Sequence, residues 1–255
     1  DEDHGRSVRG LGDRRPRPGQ QVGREAVTEL GIDIKTFTFD GDTPETARRA
    51  IRSSGHIVIT NPDMLHAGIL PYHTSWRSLF SNRRGGDSRL FLNHIAGLQR
   101  FLPDSVPLMA PYVNSYRRFT RYYAAPINVH WGYDNRTVGL RVPVSDPQAR
   151  RVENRIAGAD VNPYLAIATS LACGYLGMKQ GLRPSKPVDG DAYNLPFSLP
   201  RDLESGMARL RQCEDLIEVL GEMFVESFCA VKEAEYETFF QVISPWEREF
   251  LLLSV

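Results

Sequence analysis

Arg118, Arg136, Arg141, Arg151, Glu153 and Arg155 lie close together in the chain, in the segments NSYRRF, DNRTVGLR and ARRVENR. Arg136 and Arg141 stand five apart on a predicted pair of strands, and Arg151, Glu153 and Arg155 alternate, so a strand projects all three onto one face. Guanidinium groups bind carboxylates and phosphates bidentately. Several cations and one carboxylate on a sheet face therefore point to an anionic, phosphorylated ligand with a divalent metal held partly by Glu153. An exposed, salt-bridged face is the other reading of the same residues.

The elements that must position these side chains are legible nearby. PINVHWGYD and TVGLRV read as strands around Asn135-Arg136, which suits an antiparallel hairpin. RLFLNHIAGLQRFL has helical spacing at Leu90, Phe91, Ile95, Leu98 and Leu102, and Pro103 closes it. Asn162-Pro163 supplies an N-cap and a proline at the first helical position for PYLAIATSLACGYLGM, whose all-round apolar character predicts a buried helix. Apolar residues from Leu203 to Phe228 continue a helical period, with a break expected at Gly221.

Upstream, IDIKTFTF alternates as a strand and HIVITN is a compact apolar run. A short helix capped by Thr43 and ended by Gly55 falls between them, giving a β-α-β unit with a parallel sheet. Residues 1–20 hold five Arg, four acids, four Gly and two Pro, the composition of a disordered tail. Polar, glycine-rich SNRRGGDSR marks a boundary near Asn82 to Ser88.

The 255 residues allow one large domain or two small ones, and 41% hydrophobic content supplies a core. With 31 basic against 31 acidic residues, no global field recruits nucleic acid or anionic membrane, which favours small-molecule or protein partners. Cys173, Cys213 and Cys229 are odd in number and lack C-x-x-C spacing, the pattern of a reducing compartment. The most apolar run, Tyr164 to Met178, has 15 residues where a membrane span needs roughly 20, and no signal-peptide pattern opens the sequence, so a cytoplasmic protein is expected. His56, His66 and His73 have no zinc-site spacing.

PYVNSYRRF, AAPINVHWGYDNRTVGLRVP, ARRVENRIAGADVNPYLAIATSLACGYLGM and the closing SPWEREFLLLSV resemble, in order and spacing, the C-terminal catalytic region of the glutamine synthetase family. The wording is nearest to the branch that includes gamma-glutamylputrescine synthetases. The resemblance implies that Arg118 and Arg155 hold the carboxylates of glutamate. It implies that Arg136, Arg141 and Arg151 face the ATP phosphates, with Arg136 and Arg141 catalytic, and that Glu153 ligates Mg²⁺ or Mn²⁺. The implied reaction is phosphoryl transfer from ATP to the glutamate side chain, followed by attack of ammonia or an amine. Where ammonia-using members have Tyr-Glu-Ala-Pro, this chain has Tyr123-Ala124-Ala125-Pro126, which favours an amine as co-substrate. The family's upstream metal glutamates and histidine motif have no counterpart in the sequence, so the chain alone is expected to be inactive. Homo-oligomeric assembly is implied as well.

FTFDGDTPETARRAIRSSGHIVITNPDMLHAGILPYHTSWRSLF resembles the interior of the first RecA-like domain of a superfamily-2 DExH helicase. That resemblance implies nucleic-acid contact through Thr60, Asn61 and Pro62. No G-x-x-x-x-G-K-[ST] phosphate loop accompanies it, so no NTP can be positioned for hydrolysis. The combined expectation is an α+β protein. A disordered tail (1–20) and a small α/β RecA-like fragment (21–82) precede a junction (83–88) and a partial glutamine synthetase catalytic domain (89–255) built as an antiparallel sheet with flanking helices. The alternatives are a nucleic-acid-binding fragment and a chimera without integrated activity.

Overall fold

A computed structural model describes the backbone of residues 36–39 and 57–60 and the whole of residues 79–252. The chain divides into two units, Asp1–Arg77 and Ser78–Val255. In the first, strands β1 (Thr36–Phe39) and β2 (Ile57–Thr60) pair in parallel, with Thr36 opposite Ile57 and Phe39 opposite Thr60. This is the pairing the alternating and compact apolar runs predict. The intervening helix and the tail predicted for residues 1–20 lie outside the described residues.

The second unit opens on the segment expected as a junction. Residues 82–88 form a turn, with a bridge between Ser81 and Asp87. Asn82 Oδ1 accepts from the backbone N–H groups of Arg84 (2.9 Å) and Gly86 (3.1 Å). Asp87 accepts from the Tyr133 hydroxyl and pairs with Arg150 Nε at 3.3 Å, so the turn is fastened to residues far along the same unit. Burial, and after it that hydrogen bond, raises the Tyr133 phenol to about 12.

Helix α1 (Arg89–Phe101) starts where Ser88 Oγ accepts from Phe91 N at 3.1 Å. It buries Phe91, Ile95, Leu98 and Phe101, and the chain tightens into a 3-10 turn over Leu102–Asp104, where Pro103 cannot continue the α-helical ladder. Helix α2 (Pro163–Lys179) begins as its cap signal predicts, with Asn162 Oδ1 accepting from Tyr164 N at 3.0 Å. The expectation that α2 is buried all round is corrected: Thr169, Ala172, Cys173, Leu176 and Gly177 face the core, whereas Tyr164, Ile167 and Leu171 are exposed. Mean apolarity cannot assign a burial side when both faces are apolar.

α1 and α2 cross in close contact. A Cβ on Gly97 would stand 2.1 Å from Cys173 O, and one on Gly177 2.2 Å from Asn93 O, so both positions are closed to side chains. Beside the crossing, His94 is buried with its ring 5.1 Å from that of Phe80, and desolvation lowers its pKa to about 4.

The sheet is small and mixed. Strands β3 (Trp131–Tyr133), β4 (Leu140–Val142) and β5 (Glu153–Asn154) lie in the order β3-β4-β5. β4 and β5 are antiparallel, but β3 and β4 run parallel, which corrects the expected hairpin and the purely antiparallel sheet. A parallel return normally needs a crossover of a dozen or more residues. Here β3 and β4 have three residues each, about 10 Å of chain, so residues 134–139 can span the return. Asn135 pins that connection: Nδ2 donates to Val188 O and Gly190 O at 2.8 Å, while Oδ1 accepts from Thr137 N at 2.9 Å.

The C-terminal part is helical: α3 (Leu203–Gln212), α4 (Glu214–Leu220), α5 (Glu222–Phe240) and α6 (Pro245–Phe250). Gly221, at φ +94°, separates α4 from α5 where the break is expected, and a further break falls at Cys213. Trp131, Leu140 and Val142 of the sheet join the α1, α2 and α3 side chains in one core. The described cysteines are free, buried thiols. No helix among the described residues is long and apolar enough to cross a membrane.

Candidate functional site

Arg141 on β4 stands opposite Glu153 on β5. Its Nη1 donates to Glu153 Oε2 at 3.0 Å and Oε1 at 3.3 Å, and its Nη2 donates to the carboxylate of Asp134. Asp134 reaches it from a left-handed backbone position, φ +46°, which Asp tolerates better than most residues. Held between two carboxylates, the guanidinium is oriented before any ligand arrives. The bond to Asp134 is the main cause that raises its pKa.

Arg155 follows β5, its N–H donating to Gly139 O at 2.9 Å. The guanidinium donates to backbone carbonyls: Nη1 to Val138 at 3.0 Å and to Arg136, Nη2 to Ala124 at 2.9 Å. It thereby ties the β3–β4 connection to the loop that contains Ala124. Burial lowers the Arg155 pKa and the nearby Arg141 and Arg136 charges add to that, whereas Glu153 opposes it.

Arg118 ends the 3-10 helix Val113–Arg118 and donates from Nη2 to the carbonyl of Ile156, the residue after Arg155. Its guanidinium carbon lies 4.6 Å from the Phe119 ring centre, and its buried Nε has no hydrogen-bond partner among the described residues. Desolvation lowers its pKa, with the Asp160 carboxylate opposing. Asp160 itself accepts from the Ser115 hydroxyl.

Arg136, Arg141, Glu153 and Arg155 are thus brought together, and Arg118 bonds to the adjoining residue. Arg136 and Arg151 are exposed, and neither forms an ion pair among the described residues. Arg151 donates to Ala149 O at 3.3 Å. The expected strand face carrying Arg151, Glu153 and Arg155 is corrected, because β5 comprises Glu153–Asn154 alone and Arg151 lies before it. Of the nucleic-acid candidates, Thr60 ends β2, while Asn61 and Pro62 lie outside the described residues.

Glu153 is the metal ligand that the resemblance implies. It is engaged by Arg141, and among the described residues no three His, Cys, Asp or Glu side chains converge as a metal site. The donors present do not fit a divalent ion, and no step below is routed through one.

Sequence reading passes over Asp134 and Tyr193. Asp134 precedes the Asn135-Arg136 turn, so its place beside the arginines is visible in the string. Tyr193 lies in a 3-10 turn (Ala192–Asn194) whose sequence has no periodic signal, yet its hydroxyl donates to Tyr123 O and, at 3.0 Å, to Ala125 O.

Residues 66–251 match the sequence family described as the glutamine synthetase catalytic domain. The chain belongs to that family. Gamma-glutamylputrescine synthetase PuuA of Escherichia coli strain K12 is 35% identical over 191 residues, covering 74% of this chain and 40% of that protein. Glutamate–isopropylamine ligase of a Pseudomonas species is 33% identical over 201 residues, covering 76% and 42%. Type-1 glutamine synthetase 2 of Dictyostelium discoideum is 39% identical over 168 residues, covering 64% and 32%. A solved structure titled "Apo GmaS without ligand" superposes with a TM-score of 0.60 at 29% identity, over 68% of this chain and 41% of that one. The chain therefore spans about 32 to 42% of the length of these relatives.

The fold is accordingly that of a glutamine synthetase catalytic domain, a small sheet with flanking helices. The helicase resemblance drawn on residues 21–82 gains no support. From residue 66 onward that stretch falls within the glutamine synthetase match, ahead of the junction expected at 83–88.

Proposed function

We propose that this chain carries the arginine-bearing part of the site of an ATP-dependent glutamate–amine ligase. The observation that carries the reading is the preorganised Arg141, clamped by Asp134 and Glu153 beside Arg155 and the exposed Arg136, which forms no ion pair among the described residues. In this reading Arg136, Arg141 and Arg151 face the ATP phosphates, and Arg118 and Arg155 hold the carboxylates of glutamate. The γ-phosphoryl group passes from ATP to the glutamate side-chain carboxylate and ADP leaves. The amine nitrogen then attacks the acyl carbon, phosphate departs and the nitrogen gives up a proton. Fixed guanidinium groups stabilise charge on the transferred phosphoryl group without reorganising during the step.

An amine, rather than ammonia, is supported by Ala124, which offers no carboxylate to an ammonium ion, and by relatives named for putrescine and isopropylamine. Homo-oligomeric assembly and a cytoplasmic location belong to the same proposal.

Calorimetric titration of the purified chain tests it. A non-hydrolysable ATP analogue should lose binding in Arg136→Met and keep it in Arg118→Met, and glutamate should show the reverse. Failure of both ligands to bind the folded wild-type chain overturns the reading. A chimera in which residues 89–255 replace the matching part of the Escherichia coli relative should form γ-glutamyl amides with ATP.

A further inference from the structure

The loop around Ala124 is fastened more firmly than its exposure requires. The carbonyls of Tyr123 and Ala125 accept from the Tyr193 hydroxyl, and that of Ala124 accepts from Arg155. Tyr122 stands at φ +64°, a left-handed conformation that costs a bulky residue free energy and persists where surrounding contacts over-determine it. What this strained backbone displays is aromatic: Tyr122 is 73% exposed and Tyr123 71%. The Tyr122 ring lies 5.7 Å from that of Tyr193 at a 50° tilt. Rings so exposed bury little apolar surface, so packing does not account for the strain.

The charges near the loop are mostly positive. Arg121 lies 5.4 Å from the Phe197 ring centre, Arg155 holds Ala124, and Arg136 adjoins Arg155. Of the neighbouring carboxylates, Glu153 pairs with Arg141, and Asp191 accepts from the N–H of Tyr193 at 2.9 Å. Aromatic faces attract a single ammonium group and stack against an apolar body. A second cation on the same ligand meets the arginines.

Building on the ligase reading above, we propose that Tyr122 and Tyr123 form an aromatic lip that selects a monoamine with an apolar alkyl or aryl body over diamines and ammonia. The test uses the purified chain with glutamate and a non-hydrolysable ATP analogue present, titrated with benzylamine, putrescine and ammonium. Benzylamine should bind roughly tenfold more tightly than either competitor, equivalent to about 1.4 kcal/mol. Tyr122→Asn removes the ring but tolerates the left-handed backbone, and should lose most of that preference without a lower melting temperature. If Tyr122→Asn melts early, Tyr123→Ser decides: lost preference supports the lip and retained preference overturns it. Equal affinity for benzylamine and putrescine, or a preference unchanged in Tyr122→Asn, overturns the proposal. Binding of glutamate and the ATP analogue in those samples leaves the ligase reading standing, whereas absence of all binding overturns both.

Discussion

At the α1/α2 crossing, backbone meets backbone. Gly97 and Gly177 bring the helices so close that a single Cβ would strike a carbonyl oxygen. On the arginine face the reverse holds: long side chains span the gaps between short strands and loops, and the backbone is placed by guanidinium, amide and phenol groups. The first region is held by shape and tolerates no added atom. The second is held by directional bonds between groups that keep partial access to solvent, which leaves room for a ligand and for substitution.

The largest expected effect tests the rigid half. Gly177→Ala puts a methyl group 2.2 Å from Asn93 O, so the helices must separate. The cost should be about 4 kcal/mol, lowering the melting temperature by roughly 10 °C for a chain of this size. Calorimetry showing less than a few degrees of change would mean that the crossing is looser than described.

The buried imidazole at the same crossing sharpens the comparison through pH. His94 titrates near 4 in the fold against 6.5 for an unhindered histidine, because burial disfavours its charged form. Between those values the unfolded chain binds more protons, so stability is complete above pH 6.5 and declines as pH falls toward 4. The full loss is about 3 kcal/mol at about 1.4 kcal/mol per unit. Denaturant midpoints compared between wild type and His94→Asn across this window should show a steeper slope for the wild type. Parallel slopes would remove His94 from the account.

The sequence exposes these regions unequally. Helix starts are local: Asn162 and Pro163 announce α2 within two residues, and Pro103 ends α1 within the same span. The direction of β4 is not local, because it depends on Asn135 reaching Val188 and Gly190 far along the chain. The arginines are legible as a cluster of like charge. Their separation into clamped Arg141, carbonyl-bound Arg155 and exposed Arg136 depends on Asp134 and on carbonyl groups, which a string of residue names does not show.

Arg155 tests whether the site is placed by side chains. Replacing it with Gln removes charged donors from the carbonyls of Ala124, Arg136 and Val138. We expect about 2 kcal/mol of destabilisation, less than at the helix crossing, together with faster amide hydrogen exchange at residues 121–125 and 136–138. Unchanged exchange there would show that the loop keeps its shape without the guanidinium.

The smallest structural effect belongs to Arg136, and it separates holding the fold from holding a ligand. The side chain is exposed and forms no ion pair among the described residues, so Arg136→Met should change stability by less than about 0.5 kcal/mol. Its carbonyl still accepts from Arg155, a bond that substitution of the side chain leaves in place. If the exposed arginine is there for phosphate, the same variant loses affinity for the ATP analogue while its denaturation curve overlays the wild type. A parallel fall in stability would assign Arg136 to the scaffold, and unchanged affinity would leave its exposure without a ligand to explain it.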